Sequence, residues 1–127
     1  MSKGIPAKTK AAVLERDRGL CVLRIAPDCM GDATCADHRA NRGHGGAKSG
    51  VLDRPSNLIA ACGICNGYKE SNADRDELER RGVRVRGDST HAKTAQRALL
   101  TPVLYPDGHL YWLDDFGGKE CDDSQPF

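Results

Sequence analysis

Apolar and polar positions along this chain fall into short periodic stretches separated by turn-forming residues. In "KTKAAVLERDRG", Ala11, Ala12, Val13 and Leu14 sit among charges, with Gly19 where a helix would stop, which predicts an N-terminal helix over about residues 8–18. The next stretch, "CVLRIAPDCMGDATC", is a brief apolar run followed by Pro27 and Gly31. It predicts an irregular knuckle or a short strand pair held by its cysteines. "HRANRGHGGAKSG" has four glycines in thirteen residues and reads as an exposed basic loop. "RPSNLIAACGIC" places an apolar strand, Leu58 to Ala61, after a Pro-Ser-Asn turn. "NGYKESNADRDELERRG" then turns helical, with Gly82 as the stop. "VRVRGDSTHAKTAQRALL" reads as a strand followed by a short helix. "PVLYPDGHLYWLDD" alternates around Pro-Asp-Gly, the signature of a hairpin, with Trp112 expected on its buried face. From about residue 117, "GGKECDDSQPF" reads as a frayed tail. No internal repeat and no linker divides the chain, so the expectation is one α+β domain over residues 1–127.

Composition sharpens this picture. The 127 residues are 39% apolar but include only two Phe, one Trp and three Tyr against 14 Gly, so the core is thin and a crosslink is expected. Six cysteines are available to make one. No apolar segment follows "MSKGIPAKTK", and none approaches membrane-spanning length. The expectation is therefore a cytoplasmic protein without membrane association, in a reducing compartment that favours metal over disulfide. The net charge of +1 conceals an asymmetry: residues 1–97 carry 18 Lys/Arg against 12 Asp/Glu, and residues 98–127 one against six. A basic body with an acidic tail favours a polyanionic partner, nucleic acid above all.

Cys62 and Cys65 form a Cys-x-x-Cys pair, which alone fits redox chemistry, a structural metal or neither. A four-coordinate zinc site needs a second pair. Cys21 with Cys29 is favoured, because Pro27 and Gly31 let the seven residues between them fold back. Cys35 is the alternative fourth ligand, and Cys121 in the acidic tail is expected to be a bystander. A thiol oxidoreductase would need a βαβ pattern around the pair, and none is visible.

Around these cysteines lie Asp37-His38 in "CADHRANRGHGG", then Asn57 and Asn66 in "PSNLIAACGICNGYK". In this order they resemble the HNH nucleases with a ββα-metal (His-Me finger) fold. Asp-His followed by Cys-x-x-Cys-Asn is similar to the zinc-stapled group that includes recombination endonuclease VII. The resemblance covers about residues 10–85, leaving a C-terminal extension over about 86–127. It implies a zinc-stapled ββα core, to which the pattern along the chain adds an N-terminal helix, a following helix and a C-terminal β-hairpin. It also implies hydrolysis of DNA phosphodiester bonds to 3′-hydroxyl and 5′-phosphate ends. In many members the last position is His; here it is Asn66.

The residue types suit that chemistry. His38, whose imidazole ordinarily titrates near ~6.5, can act as general base on the attacking water. Asp37 and Asn66 offer oxygen ligands to a catalytic Mg²⁺ or Mn²⁺. Asn57 would brace the loop bearing His38 through side-chain-to-backbone hydrogen bonds. Arg39, Arg42, Lys48, Arg54 and Lys69 are the candidate phosphate contacts, Lys69 foremost; His44 is a further candidate. Small phage-encoded HNH proteins that resemble this chain accompany packaging terminases, which implies a packaging protein as a partner besides DNA. The competing reading is a non-catalytic zinc-stapled module that binds nucleic acid or protein.

Overall fold

A computed structural model describes residues 4–41, 50–71 and 73–122. The chain opens with α1 (Ala7–Arg16), built from Ala, Lys, Leu and Glu after Pro6. Arg18 and Gly19 end it in the left-handed region, at φ 57° and 67°, where the Gly19 N–H reaches back to the Leu14 carbonyl at 2.8 Å. The last turn of α1 is fastened from inside. Arg16 grips Asp17 through Nε and Nη2 at 2.8 and 2.9 Å, and donates to the carbonyls of Leu58 and Pro55 at 2.7 and 3.0 Å. Asp17 in turn accepts from the Ala60 N–H at 3.0 Å and from the Tyr105 hydroxyl at 2.6 Å.

Two antiparallel strands follow, β1 (Cys35–His38) and β2 (Leu58–Ala61), paired from Cys35 opposite Ala61 to His38 opposite Leu58. Every β2 residue is buried, as expected of a short strand covered on both faces. Two 3₁₀ turns, Val51–Asp53 and Pro55–Asn57, lead into β2. The chain then passes through Cys62 into α2 (Gly63–Ser71), giving a strand–strand–helix unit within an α+β fold. The helix expected over residues 66–82 is broken in two. α3 (Arg75–Arg80) starts anew at Asp74, whose carboxylate accepts from the N–H groups of Asp76 and Glu77.

The strand expected at residues 83–86 does not form, although Val83 and Val85 are buried. Its bond across to the end of β1, from the Val85 N–H to the Arg39 carbonyl at 2.9 Å, stands alone and starts no ladder, while the Val83 and Arg84 N–H groups both turn back to the Leu78 carbonyl at 3.2 Å. α4 (His91–Leu99), capped by Thr90, packs on the two 3₁₀ turns and closes a small cluster of Ala40, Val85 and Ala98. The C-terminal hairpin is present as β3 (Val103–Leu104) and β4 (Leu110–Leu113), and Val103, Tyr105 and Leu113 join the main core.

Two expectations about this hairpin are corrected. Trp112 is 37% exposed and sits opposite Glu120, because Tyr111 and Leu113 take the inward positions. The presumed frayed tail contributes β5 (Lys119–Cys121), which pairs with β4 and lays the Lys119 ammonium 4.1 Å from the Tyr105 ring centre. Among the described residues, no helix is long and apolar enough to cross a membrane.

Gly82 does end α3, at φ 73°. A Cβ there would lie 1.9 Å from the Pro102 carbonyl oxygen, and that atom belongs to backbone, which cannot yield cheaply. Gly82→Ala is expected to cost at least about 2 kcal/mol, read as a lower urea midpoint at unchanged slope.

Candidate functional site

The first centre is made of sulfur. The Sγ atoms of Cys21, Cys29, Cys62 and Cys65 all lie within 4.8 Å of one another, and that of Cys62 is 3.9 Å from that of Cys29. Zinc–thiolate bonds of about 2.3 Å in a tetrahedron place sulfurs about 3.8 Å apart, so the cluster has the size the ion requires. Its second half folds back as the sequence suggested. The Cys21 N–H bonds to the Gly31 carbonyl at 2.8 Å, Leu20 bridges Asp32, and Gly31 turns at φ 81°. Backbone N–H groups point at the sulfurs: Cys65 to Cys62 at 3.3 Å, Gly31 to Cys29 at 3.4 Å and Ala26 to Cys65 at 3.5 Å.

Burial pushes the Cys65 thiol up to about 12 and raises Cys21. For Cys62 burial acts in the same direction, but the N–H groups of Met30 and Cys65 overcome it and hold the thiol at about 6. Thiolates packed this closely repel one another, and a divalent ion offsets that repulsion so that they can ionise together. These four thiols could hold a structural metal such as zinc. Cys35 takes no part: its thiol donates to the Ala61 carbonyl at 3.2 Å.

The second centre is a cleft of about 320 Å³ beside the strand–strand–helix unit, lined among others by Asp37, His38, Asn66, Lys69, Arg75 and Arg84. Asp37 and His38 come from β1 and Asn66 from α2, immediately after Cys65, with its N–H on the Cys62 carbonyl at 3.0 Å. The Asn66 Nδ2 lies 3.7 Å from the Cys35 Sγ. Asp37 is buried, and burial raises its pKa despite the opposing Lys69 ammonium, 2.6 Å from Oδ2.

His38 Nε2 lies 2.7 Å from the Asp53 carboxylate, at side-chain exposures of 20% and 12%. In the neutral ring Nε2–H donates to Asp53, which leaves the lone pair on Nδ1. Fully buried Asn57 accepts from the Ala40 N–H at 2.9 Å and donates to the carbonyls of Ala40 and Leu52 at 3.1 and 2.8 Å. It thereby ties the segment after His38 to the turn that carries Asp53.

Two of the expected phosphate contacts are placed otherwise. Arg39 is 1% exposed, and its guanidinium donates to four carbonyls, those of Gly82, Ser56, Ala98 and Thr101, at 2.7, 2.7, 3.0 and 2.6 Å. It is an internal brace, not a DNA contact; burial draws its pKa down to about 9, so it remains cationic at neutral pH. Lys69 is corrected for the same reason. Its ammonium is enclosed by Asp37, by the His38 carbonyl at 2.8 Å and by the Val83 carbonyl at 3.3 Å. Arg54 is half exposed, 3.8 Å from Asp115. Arg42, His44 and Lys48 lie outside the described residues.

Three residues of the site, Asp53 behind His38 and Arg75 and Arg84 on the cleft wall, escaped sequence reasoning. Asp53 lies in "VLDRPSN" with no local signal joining it to His38, fifteen positions away. Arg75 and Arg84 read as ordinary solvated charges of a helix and a connecting segment.

Comparison with protein-family models, with curated proteins and with solved structures returns no match.

Proposed function

We propose that this protein is a metal-dependent endonuclease of the HNH type that hydrolyses DNA phosphodiester bonds. The observation that carries the reading is the convergence of Asp37, His38 and Asn66 on one cleft of a strand–strand–helix unit. The cleft offers a divalent ion one carboxylate and one amide. That sparse set suits Mg²⁺, which keeps several waters and completes its shell with substrate phosphate. Asp37 and Asn66 would hold the ion, and when bound it supplies Lewis-acid stabilisation at the phosphate and the leaving 3′ oxygen.

The remaining roles belong to the chain itself. His38 Nδ1 accepts the proton of the attacking water while Asp53 fixes the ring at Nε2. Asn57 keeps His38 and Asp53 in register. Lys69 partly neutralises Asp37, which weakens the ion's hold until a phosphate adds charge.

The Asp37–Lys69 ion pair also favours a second reading, a non-catalytic zinc-stapled binding module, since a carboxylate matched by an ammonium needs no metal. Supercoiled plasmid separates the two. The protein is expected to nick it with Mg²⁺ or Mn²⁺ and to stop when the ion is withheld. His38→Ala, with fold and zinc content unchanged, is expected to lose about 10²-fold or more in rate. Cleavage by a pure His38→Ala sample at the original rate would remove the base assignment. Zinc without cleavage in the parent protein would favour the binding module.

A further inference from the structure

The cleft does not end at Asp37 and His38. It shares Arg84 and Val85 with a second hollow that continues to Arg86 and Arg97, and that hollow shares Arg97 and Thr101 with a third reaching Lys93 on α4. Linked by these shared residues, the three hollows mark out a surface channel leading away from the candidate site.

The charges along it divide into two kinds. Arg84 is tied to Glu79 at 2.5 Å and Arg97 to Asp88 at 2.9 Å, pairs that shape the wall. Each segment also contributes an exposed cation. Arg75 on α3 and Lys93 on α4 are exposed, and the side chain of neither makes a hydrogen bond or ion pair among the described residues. Between them, Arg86 is 71% exposed at its side chain and meets Glu79 only at 3.4 Å. Acidic groups also line this surface: Glu70 beside Arg75 in the cleft, Glu79 beside Arg86, and Asp88 beside Lys93, the last two already engaged by Arg84 and Arg97. Cations strung singly along a channel, one per segment, match a linear polyanion better than a compact anion, which would need them convergent.

We propose that this channel is the path of the DNA backbone into the cleft, with Arg75, Arg86 and Lys93 each neutralising a phosphate. The proposal rests on the reading of the cleft as a site of phosphodiester hydrolysis, and it names how that substrate is held. The contacts go to backbone, so they strengthen binding without selecting sequence.

The test is binding of a fluorescein-labelled 30-base-pair duplex, followed by anisotropy without added Mg²⁺ over a salt series, with plasmid nicking measured in parallel. Each of Arg75→Ala, Arg86→Ala and Lys93→Ala is expected to reduce the slope of log K against log salt by about 0.9, and the triple variant by about 2.7. Lys8→Ala, an exposed cation on α1 away from the channel, should leave it unchanged. All three positions are exposed, so the triple variant should melt like the parent. Duplex binding by the triple variant at the parent slope overturns the proposal. Binding that depends on the three cations, in a protein that never nicks, keeps the channel and removes the reaction assigned to the cleft.

Discussion

Stripping the metal from the four-cysteine centre is expected to unfold the protein, and Cys62→Ser is expected to do so without a chelator. The segment from Cys21 to Thr34 contains no element beyond an isolated bridge, and much of the core around it is alanine and valine: Ala26, Ala60, Ala61, Val22 and Val83. Such residues bury little area each, so packing alone leaves a small margin. Zinc in peptide-sized sites contributes about 10–16 kcal/mol, comparable to or larger than the whole stability of a typical domain, about 5–15 kcal/mol. The expected measurements are one zinc per chain by elemental analysis and loss of far-ultraviolet circular dichroism on chelation, reversed by adding zinc back. Cys35→Ser and Cys121→Ser should keep the full metal content, because neither sulfur lies in the cluster. Zinc uptake should release protons, Cys65 among their sources, since burial holds its thiol protonated far above neutral pH. A stripped protein that melts at the original temperature would show that the four thiols are not a folding centre.

Arg39→Ala is the second large effect. The guanidinium joins the end of β1 to the turn before β2, to the residue that closes α3 and to the end of α4, through four carbonyls. Removing it orphans those acceptors and opens a cavity. At about 1–3 kcal/mol for each buried group left unsatisfied, the loss should reach at least about 4 kcal/mol. Arg39→Lys should recover only part of this, since one ammonium cannot reproduce the planar fork. The readout is the urea midpoint. A variant with the original midpoint but weaker DNA binding would restore Arg39 to the surface role that its sequence context suggested.

Why that context misled is instructive. A basic residue beside Asp37-His38 looks like a phosphate contact, and nothing local reveals that four carbonyls from distant segments close around it. The same holds for Lys69, and for the bond between His38 and Asp53, which depends on how a long connection returns. Features governed by local chemistry were legible. α1 and its stop at Gly19, β2 after Pro-Ser-Asn, the Pro-Asp-Gly hairpin and the left-handed stop at Gly82 all follow from neighbours in sequence. The cysteine grouping was legible because Pro27 and Gly31 let Cys29 return to Cys21, although the sequence left Cys35 open as an alternative. Trp112 failed for a subtler reason: alternation in β4 was read correctly, but its phase was set by Leu113 and Tyr111 packing inward. β5 was missed because three residues, Lys-Glu-Cys, carry no strand signal apart from the partner they pair with.

The position of the sulfur ligands along the chain has a consequence for biosynthesis. All four lie within the first 65 residues, whereas Tyr105, which donates to the Asp17 carboxylate, is supplied much later. A ribosome-bound chain that captures a metal at these thiols can set β1, β2 and α2 before the hairpin residues are added. Asp17, already gripped by Arg16, then waits with one acceptor open for the hairpin to arrive. Nascent chains stalled before residue 105 should accordingly hold metal yet remain open to proteases at the end of α1, and the arrival of one tyrosine hydroxyl should mark the moment this protein becomes resistant.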